Sequence, residues 1–323
     1  MRKTAYSFMT VALLISFAGL SASPLWAASC CGGGGGAALL LPSFYRNMVD
    51  LSFDFERYDG YWKLDGEYVH EPQGDQSRVN VGFAHRLTPR WQTSLSVPYV
   101  WNDNQYGNGS TQSSGIGDTT LSLWYEALDD KSAWKIRTLQ DLMPAITIGP
   151  ALIIPTGISP YDDKQSSFET TGLGFYRLDG NVLISKTWHP WTASVTLAYG
   201  TYIERPVNRD YGKDVEPFHK KLGDRSSAST SLGYIYYIGS AGDTLTGTVS
   251  FSALWQDEET YDDKPREGSS FRKEAFGAGL AYSSTDRDWV LRGAWSHSVR
   301  RDGWGNSFPT TDIFTVGVNY GFR

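Results

Sequence analysis

Apolar and polar residues alternate one by one through most of this chain. The final segment shows the pattern best, because Phe314, Val316, Val318, Tyr320 and Phe322 fall on one face and small or polar residues on the other. Successive side chains of a β-strand point to opposite faces, whereas residues two apart in an α-helix lie on different sides of it. The alternation therefore predicts strands with one apolar and one polar face.

The same pattern recurs in about twelve segments, each about as long as a tilted strand that crosses a membrane. The connections between them alternate in length. Short links lie near residues 88–90, 188–190, 238–243 and 284–288, and long polar links lie near residues 60–76, 102–113, 158–170, 204–224, 257–270 and 302–309. Short turns at one end and long loops at the other are typical of outer-membrane proteins. The sequence thus predicts an all-β fold, an antiparallel transmembrane β-barrel of about 12 strands with both termini in the periplasm.

One link breaks this regularity. Residues 129–144 lie on the short-turn side but form a long connection. It carries the apolar residues Trp134, Ile136, Leu139 and Leu142, which a short helix could use to pack against the barrel. We therefore expect a short periplasmic helix in this segment.

A secreted β-sandwich also alternates, but one face of each of its sheets packs against a second sheet. The composition favours the barrel, because aromatic residues make up 14% of a chain whose mean hydropathy is only −0.36. Aromatic residues such as Trp91, Tyr99, Trp191 and Tyr199 also gather near strand ends. Such positions are typical of the aromatic girdles at the two membrane interfaces.

The beginning of the chain has the pattern of a secretory signal. Arg2 and Lys3 precede a short apolar stretch at 11–20, and small residues follow at 27–29. The apolar stretch is too short to span a membrane as a helix. We therefore expect export to the outer membrane of a Gram-negative cell.

The predicted organisation has three parts: a signal peptide at 1–29, a Cys/Gly-rich leader at 30–45 and the barrel at 46–323. Cys30 and Cys31 are adjacent, so they cannot link distant segments of one chain. The residues before Cys30 loosely resemble a lipobox, which would make Cys30 a lipid-modified N-terminus. The alternatives are that the two thiols bind a metal ion, or that the segment is simply a flexible periplasmic leader. We predict no metal site and no cofactor.

If the apolar rows face lipid, the charges on the opposite rows face the lumen. An Arg or Lys on the lipid side at the midplane would cost about 2–4 kcal/mol. Acids concentrate on the first strand and bases on the second and eleventh, which predicts either a transverse field across the pore or a set of structural salt bridges. About twelve strands predict a narrow passage, because eight-stranded barrels are filled with side chains and sixteen-stranded ones hold open channels. The predicted lumen residues are Asp50, Asp54, Glu56, Arg78, Arg86, Asp118, Glu126, Arg177, Asp179, Arg292 and Arg300.

Three short motifs follow one another between residues 79 and 185. They read Val97-Pro98-Tyr99-Val100, Ser114-Gly115-Ile116-Gly117-Asp118 and Ile154-Pro155-Thr156-Gly157. Their order and spacing resemble those of the outer-membrane transporter family of the meta-pathway of phenol degradation. The resemblance implies a barrel through which small solutes, hydrophobic or aromatic ones included, cross the outer membrane. The residues that carry it are Ser114, Gly115, Gly117, Asp118, Pro155, Thr156 and Gly157.

Two other functions compete with that of a channel. A non-transporting barrel would act in adhesion, or as a scaffold or sheath for a partner protein, through acidic loops at 208–214 and 257–263. A lipid hydrolase would need a Ser and a His paired on the outer wall. Of the five histidines, His85 and His297 have outward phase, and no outward Ser is placed beside either. We therefore predict no enzymatic activity.

The expected partners follow from this reading. They are outer-membrane lipid and lipopolysaccharide, the barrel assembly machinery that recognises the final strand, and a small-molecule solute. Phe322 is followed by Arg323, whereas an aromatic residue usually ends such a barrel. The net charge of −6 gives no reason to expect nucleic acid as a partner.

Overall fold

The computed structural model describes residues 39–42, 45–62, 67–69, 74–106, 109–129, 134–162, 169–239, 242–286, 288–299 and 308–322. The expected signal peptide at 1–29, Cys30 and Arg300 fall outside these residues. The expectations for export, lipid modification and the lumen position of Arg300 therefore stay predictions.

The described residues are mostly strand. In chain order the strands are β1 (Asn47–Trp62), β2 (Tyr68–Val69), β3 (Gly74–Arg86), β4 (Trp91–Tyr106), β5 (Gly109–Ile116), β6 (Thr119–Leu128), β7 (Ala145–Ile154), β8 (Arg177–Trp188), β9 (Trp191–Tyr202), β10 (Arg205–Asp210), β11 (Lys213–Lys221), β12 (Arg225–Ile238), β13 (Asp243–Gln256), β14 (Thr260–Tyr261), β15 (Lys264–Pro265), β16 (Phe271–Ser283), β17 (Trp289–Ser298) and β18 (Phe308–Phe322).

Twelve of these strands form a closed antiparallel barrel, in the order β1, β3, β4, β6, β7, β8, β9, β12, β13, β16, β17 and β18. The barrel closes where β18 pairs with β1, from Asn47 opposite Phe322 to Trp62 opposite Phe308. Closure removes sheet edges, so each strand's backbone groups are bonded on both sides, as a membrane requires. The predicted twelve-stranded β-barrel is confirmed.

The apolar rows point away from the barrel axis. Leu51, Val81, Leu291 and Val316 keep 48%, 52%, 52% and 59% of their surface exposed. They stand in the phase that the alternation predicts, and a soluble protein would bury rows of this kind against another layer. These rows form the lipid-facing wall of the barrel.

The two ends of the barrel differ. Short turns join β3 to β4, β8 to β9, β12 to β13 and β16 to β17 at one end, here called the turn end, where β1 also begins and β18 finishes. The opposite, loop end carries strands that the polar sequence did not predict. There β5 extends the β4 hairpin, while β10, β11, β14 and β15 form a small second sheet.

The segment between β6 and β7 contains a shorter helix than the sequence predicts. Of its described residues, 129 and 134–144, only Leu139–Leu142 are helical, as a single 3₁₀ turn. No helix of the described residues has the length and apolarity to span a membrane. Trp134 instead stacks on His189, with ring centroids 4.5 Å apart, and so fixes the segment beneath the β8–β9 turn.

Candidate functional site

The side chains that point into the barrel divide into two unlike halves. The first half, here called the charged wall, consists of the inward residues of β1, β3, β4 and β6. Its members are nearly all buried, and Glu56, Gln92 and Trp124 keep no more than 1% exposure. The second half lies on β8, β9, β12, β13, β16 and β17, and most of its inward residues stay half-buried.

The centre of the charged wall holds a cluster of ion pairs. Arg78 Nε lies 3.3 Å from Asp54 Oδ2, and Arg78 Nη2 lies 3.5 Å from Glu56 Oε2. Asn80 Nδ2 donates to Asp54 Oδ2 at 2.8 Å, and Thr315 Oγ1 donates to Asp54 Oδ1 at 2.7 Å. The predicted acids of the first strand therefore meet the predicted base of the next strand directly.

A second pair lies on the same wall near the turn end. Arg86 Nη2 lies 2.9 Å from Glu126 Oε1. Gln92 Nε2 donates to the same Glu126 oxygen at 2.8 Å. Arg86 and Glu126 thus form a one-to-one pair, while Arg78 together with the charge of Lys273 acts on Asp54 and Glu56. These groups project the field of compensated charges rather than of free ones.

The segment before β1 lies against this second pair, inside the barrel. Leu41 N donates to Gln92 Oε1 at 2.6 Å, and Arg86 Nη2 donates to the Leu41 carbonyl at 3.0 Å. Leu39, Leu41 and Tyr45 are buried at 7%, 4% and 4% exposure. The end of the predicted leader at 30–45 therefore narrows the lumen at the turn end.

Near the loop end the charges lie on the other half of the barrel. Arg177 Nε lies 2.6 Å from Asp179 Oδ1, and Arg177 Nη1 donates to Tyr202 Oη at 3.0 Å. Tyr202 packs with Phe175 and Leu222 in a buried cluster. These contacts place the loop before β8 on the lumen side of the wall.

Asp118, another predicted lumen residue, binds the backbone of a loop through its carboxylate. It sits in a break between β5 and β6, where Gly117 N donates to the Pro98 carbonyl at 2.8 Å. Asp118 Oδ1 accepts from Gly157 N at 3.2 Å, and Oδ2 accepts from Leu173 N at 2.9 Å. A carboxylate that accepts two backbone N–H groups makes strong, charge-assisted hydrogen bonds. Asp118 therefore holds both ends of the β7–β8 connection, whose described residues, 155–162 and 169–176, are here called the anchored loop.

The other motif residues complete this attachment. Thr156 Oγ1 donates to the Gly117 carbonyl at 2.7 Å and accepts from Thr119 N at 3.1 Å. Pro155 precedes Thr156 just after β7 ends. The anchored loop also reaches across the lumen side of β4, where Asn102 Nδ2 donates to the Thr170 carbonyl at 3.0 Å.

Glycine is required where the anchored loop meets the break. A Cβ on Gly157 would lie 2.8 Å from Gly172 Cα, and one on Gly172 would lie 2.1 Å from Asp118 Oδ1. A Cβ on Gly117 would lie 2.9 Å from Pro98 Cγ and 3.1 Å from the Thr171 carbonyl oxygen, whereas one on Gly115 would approach only the end of the Ile158 side chain, at 2.9 Å from Cδ1. The motif thus combines one carboxylate with the small residues that let a loop approach it. Ser114 lies apart from this contact, on the outer side, where its Oγ accepts from Tyr99 Oη at 3.4 Å.

The second half of the lumen carries a surface of hydroxyl groups. Neighbouring strands bring them into register, with Thr196 opposite Ser229 and Ser229 opposite Ser252. We call this surface the hydroxyl face; it consists of Thr192, Ser194, Thr196, Ser227, Ser229, Ser231, Thr246, Thr248, Ser250 and Ser252. Apart from the buried Ser250, all of them are half-buried.

Sequence reasoning missed two charged residues that point inward. Lys273 is 3% exposed, and its Nζ donates to Thr311 Oγ1 at 2.9 Å. Arg225 is half-buried at the start of β12, next to Tyr202. Both have the inward phase of their strands, so continuing the alternation to the strand ends would have found them.

The comparisons with known proteins agree with this architecture. The chain is similar to the COG4313 outer membrane channel from Pseudomonas putida F1, at 13% identity and a TM-score of 0.65, over 89% of this chain and 99% of that chain. It is also similar to the beta domain of the Bordetella autotransporter BrkA, at 11% identity and a TM-score of 0.49, over 86% of this chain and 100% of that chain. The first likeness shows the fold.

No curated protein matches the sequence. A family model described as "Putative MetA-pathway of phenol degradation" matches residues 93–308. The match begins on β4, covers the break at Asp118 and the anchored loop, and ends at the start of β18. Because it spans more than half of the chain, the protein belongs to this family.

Proposed function

We propose that the protein is an outer-membrane channel through which small solutes diffuse. The observation that carries this proposal is the unequal burial of the two lumen halves. The charged wall is packed, but the inward residues on β9, β12 and β13 keep part of their surface exposed. Inward side chains can be exposed only to space inside the barrel, so a solvated passage remains beside them.

Two elements narrow this passage and support selection by size. The anchored loop lies on the lumen side near the loop end, held by Asp118 and Asn102. The segment at Leu39 and Leu41 occupies the turn end. A twelve-stranded barrel with both constrictions would admit small solutes only.

Hydrophobic and aromatic compounds belong to the proposed solutes. The family description names phenol degradation, and phenol is small and uncharged at neutral pH. The solved structure with the same fold is described as an outer membrane channel. Both facts support a channel that admits such molecules.

A non-transporting role is the second candidate, because β10, β11, β14 and β15 form a sheet of their own at the loop end. The acidic stretches at 208–214 and 257–263 lie on or beside this sheet. A hydrolase has less support. His297 Nδ1 lies 2.9 Å from Asp312 Oδ1, and His85 Nδ1 lies 2.8 Å from Asn47 Oδ1. Among the residues that the structure describes, neither ring is hydrogen-bonded to a serine.

Recording of the purified, refolded full chain in planar bilayers tests the proposal. We expect stable single-channel steps, and swelling of proteoliposomes in small uncharged solutes. Heat-modified migration in an electrophoresis gel verifies that the protein in the same sample is folded. A folded barrel that gives neither steps nor swelling would refute the channel and favour the adhesion or scaffold role.

A further inference from the structure

We propose that solutes cross the barrel along the hydroxyl face, off the barrel axis, and that this path takes small uncharged molecules that exchange hydrogen bonds. The inference rests on the proposed channel function and adds the route and the chemical class of the solute.

The first step is accessibility. Ser229 and Ser252 face each other across β12 and β13 and are half-buried. Ser94 and Ser122 face each other in the same way across β4 and β6, yet keep only 5% and 3% exposure. The two serine pairs have the same chemistry and the same inward phase. Open space therefore lies beside the first pair and not beside the second.

The second step is the shape of this side of the lumen. β16 places Gly277 opposite Ser250 and Gly279 opposite Thr248. Glycine adds no side chain to the lumen, so the surface next to the hydroxyl groups recedes. The hydroxyl groups of β13 therefore have no inward side chain of β16 beside them at these two positions.

The third step is charge. In β9 and β13, as the structure describes them, no inward residue is charged. Among the described residues, β12 adds only Arg225 and the neighbouring β16 adds only Lys273, each near the loop end. Across the lumen, Arg78 lies 3.5 Å from Glu56, and Arg86 lies 2.9 Å from Glu126. Paired charges on the far wall project weak fields, so neither anions nor cations gain much along the hydroxyl face.

The fourth step is what hydroxyl groups offer. Ser194 Oγ and Ser231 Oγ are 2.7 Å apart and hydrogen-bond to each other. Each hydroxyl can donate one bond and accept two, so it can turn from its neighbour toward a passing solute. A continuous series of such groups replaces the water bonds of an uncharged polar molecule without holding it tightly.

The test uses the full chain with Cys30 and Cys31 replaced by serine. Single variants Ser229→Cys and Ser252→Cys place a thiol on the hydroxyl face, and the matched variants Ser94→Cys and Ser122→Cys place it on the charged wall. The folded proteins in lipid vesicles are treated with methanethiosulfonate reagents of negative, positive and zero charge. Mass spectrometry measures the rate of modification, and bilayer recording follows the conductance.

We expect thiols at 229 and 252 to react on the order of tenfold faster than those at 94 and 122, since reaction needs access by the reagent. Relative to each reagent's rate with a free thiol, the three charge types should react about equally, and modification at 229 should reduce conductance. Equal rates at both serine pairs would overturn the route. A strong preference for one charge type would overturn the uncharged solute class.

Modification is measured without any current, so the two proposals can fail separately. Fast labelling at 229 in a barrel that never conducts would refute the channel and leave the open path. Steady conductance that persists after complete labelling at 229 and 252 would refute the path and leave the channel.

Discussion

Arg292 Nη1 lies 2.6 Å from Asp50 Oδ1, although β18 stands between the strands that carry them. Gly317 makes this contact over β18 feasible. A Cβ at Gly317 would lie 3.0 Å from both Arg292 Nε and Ser52 Cβ. The pair joins β17 to β1 across β18, the strand that closes the barrel. An acid of the first strand and a base of the eleventh, which the sequence places on different strands, therefore form an ion pair with each other.

Arg292→Gln should destabilise the barrel because Asp50, 5% exposed, loses its cation. Removing one member of a buried ion pair costs about 3–5 kcal/mol, but the Arg292 side chain keeps 27% exposure, so we expect about 1–3 kcal/mol. Unfolding in urea in the presence of lipid vesicles measures the change. The double variant Asp50→Asn with Arg292→Gln should lose less than the sum of the two single variants, and full additivity would contradict the pairing.

Asp118→Asn should release the anchored loop. The amide keeps one acceptor oxygen but turns an NH₂ group toward one of the two backbone N–H donors, and a lost hydrogen bond to a charged group costs about 2 kcal/mol. Proteolysis in the anchored loop should accelerate, and conductance should become larger and noisier. Asp103→Asn, on the exposed side of β4, is the matched control and should behave like the unmodified protein.

Leu41→Asp should displace the segment before β1. The new carboxylate would enter a buried apolar cluster on the same wall as Glu126, so both desolvation and repulsion act against it. We expect a rise in single-channel conductance of about twofold as the turn end opens. Leu87→Asp, in the exposed β3–β4 turn, changes the same residue type and should have no effect. An unchanged conductance in Leu41→Asp would show that this segment does not limit the passage.

The segment between β6 and β7 should loosen in acid. The pKa of Asp141 is lowered by hydrogen bonds from the N–H groups of Arg137 and Thr138 and from the Thr138 hydroxyl, with a further contribution from the charge of Lys186. A lowered folded pKa gives stability that is complete above about pH 4, the ordinary Asp value, and that is lost as the pH falls through the folded value. The protection factors for hydrogen exchange at the 137 and 138 amides, which correct for the intrinsic effect of pH on exchange, should therefore be high at pH 7 and fall in acid. In Asp141→Asn these protection factors should be low at both pH values.

The barrel was predictable because its rule is local. Alternation at residues such as Val316 and Val318 reports which side of one strand faces lipid, and no knowledge of the partner strand is needed. The same rule gave the inward phase of Asp50 and Arg292. It could not show that the two side chains meet, because that contact depends on register and on a glycine in a third strand.

The parts that were missed depend on long-range contacts. The sequence around Leu39 and Leu41 has no period, and its place inside the lumen follows from hydrogen bonds to Gln92 and Arg86. Lys186 has the outward phase of β8 but is 4% exposed, so phase alone misjudges its surroundings. The motif around Asp118 was recognisable in the sequence. Which loop Asp118 holds became clear only from the structure, in which the N–H groups of Gly157 and Leu173 donate to its carboxylate.

Tyr45, just before the first strand, donates its hydroxyl hydrogen to Asp288 Oδ1 at 3.0 Å, a contact between residues 243 positions apart. Together with the pairing of β1 and β18, it fastens the beginning of the described chain to its end. Such contacts give the fold a high contact order, because they join residues far apart in the sequence, and they can form only once the last strand is present. Until then the first strand presents an open edge to its surroundings, and a chain cut short before β18 would keep that edge and be prone to aggregate.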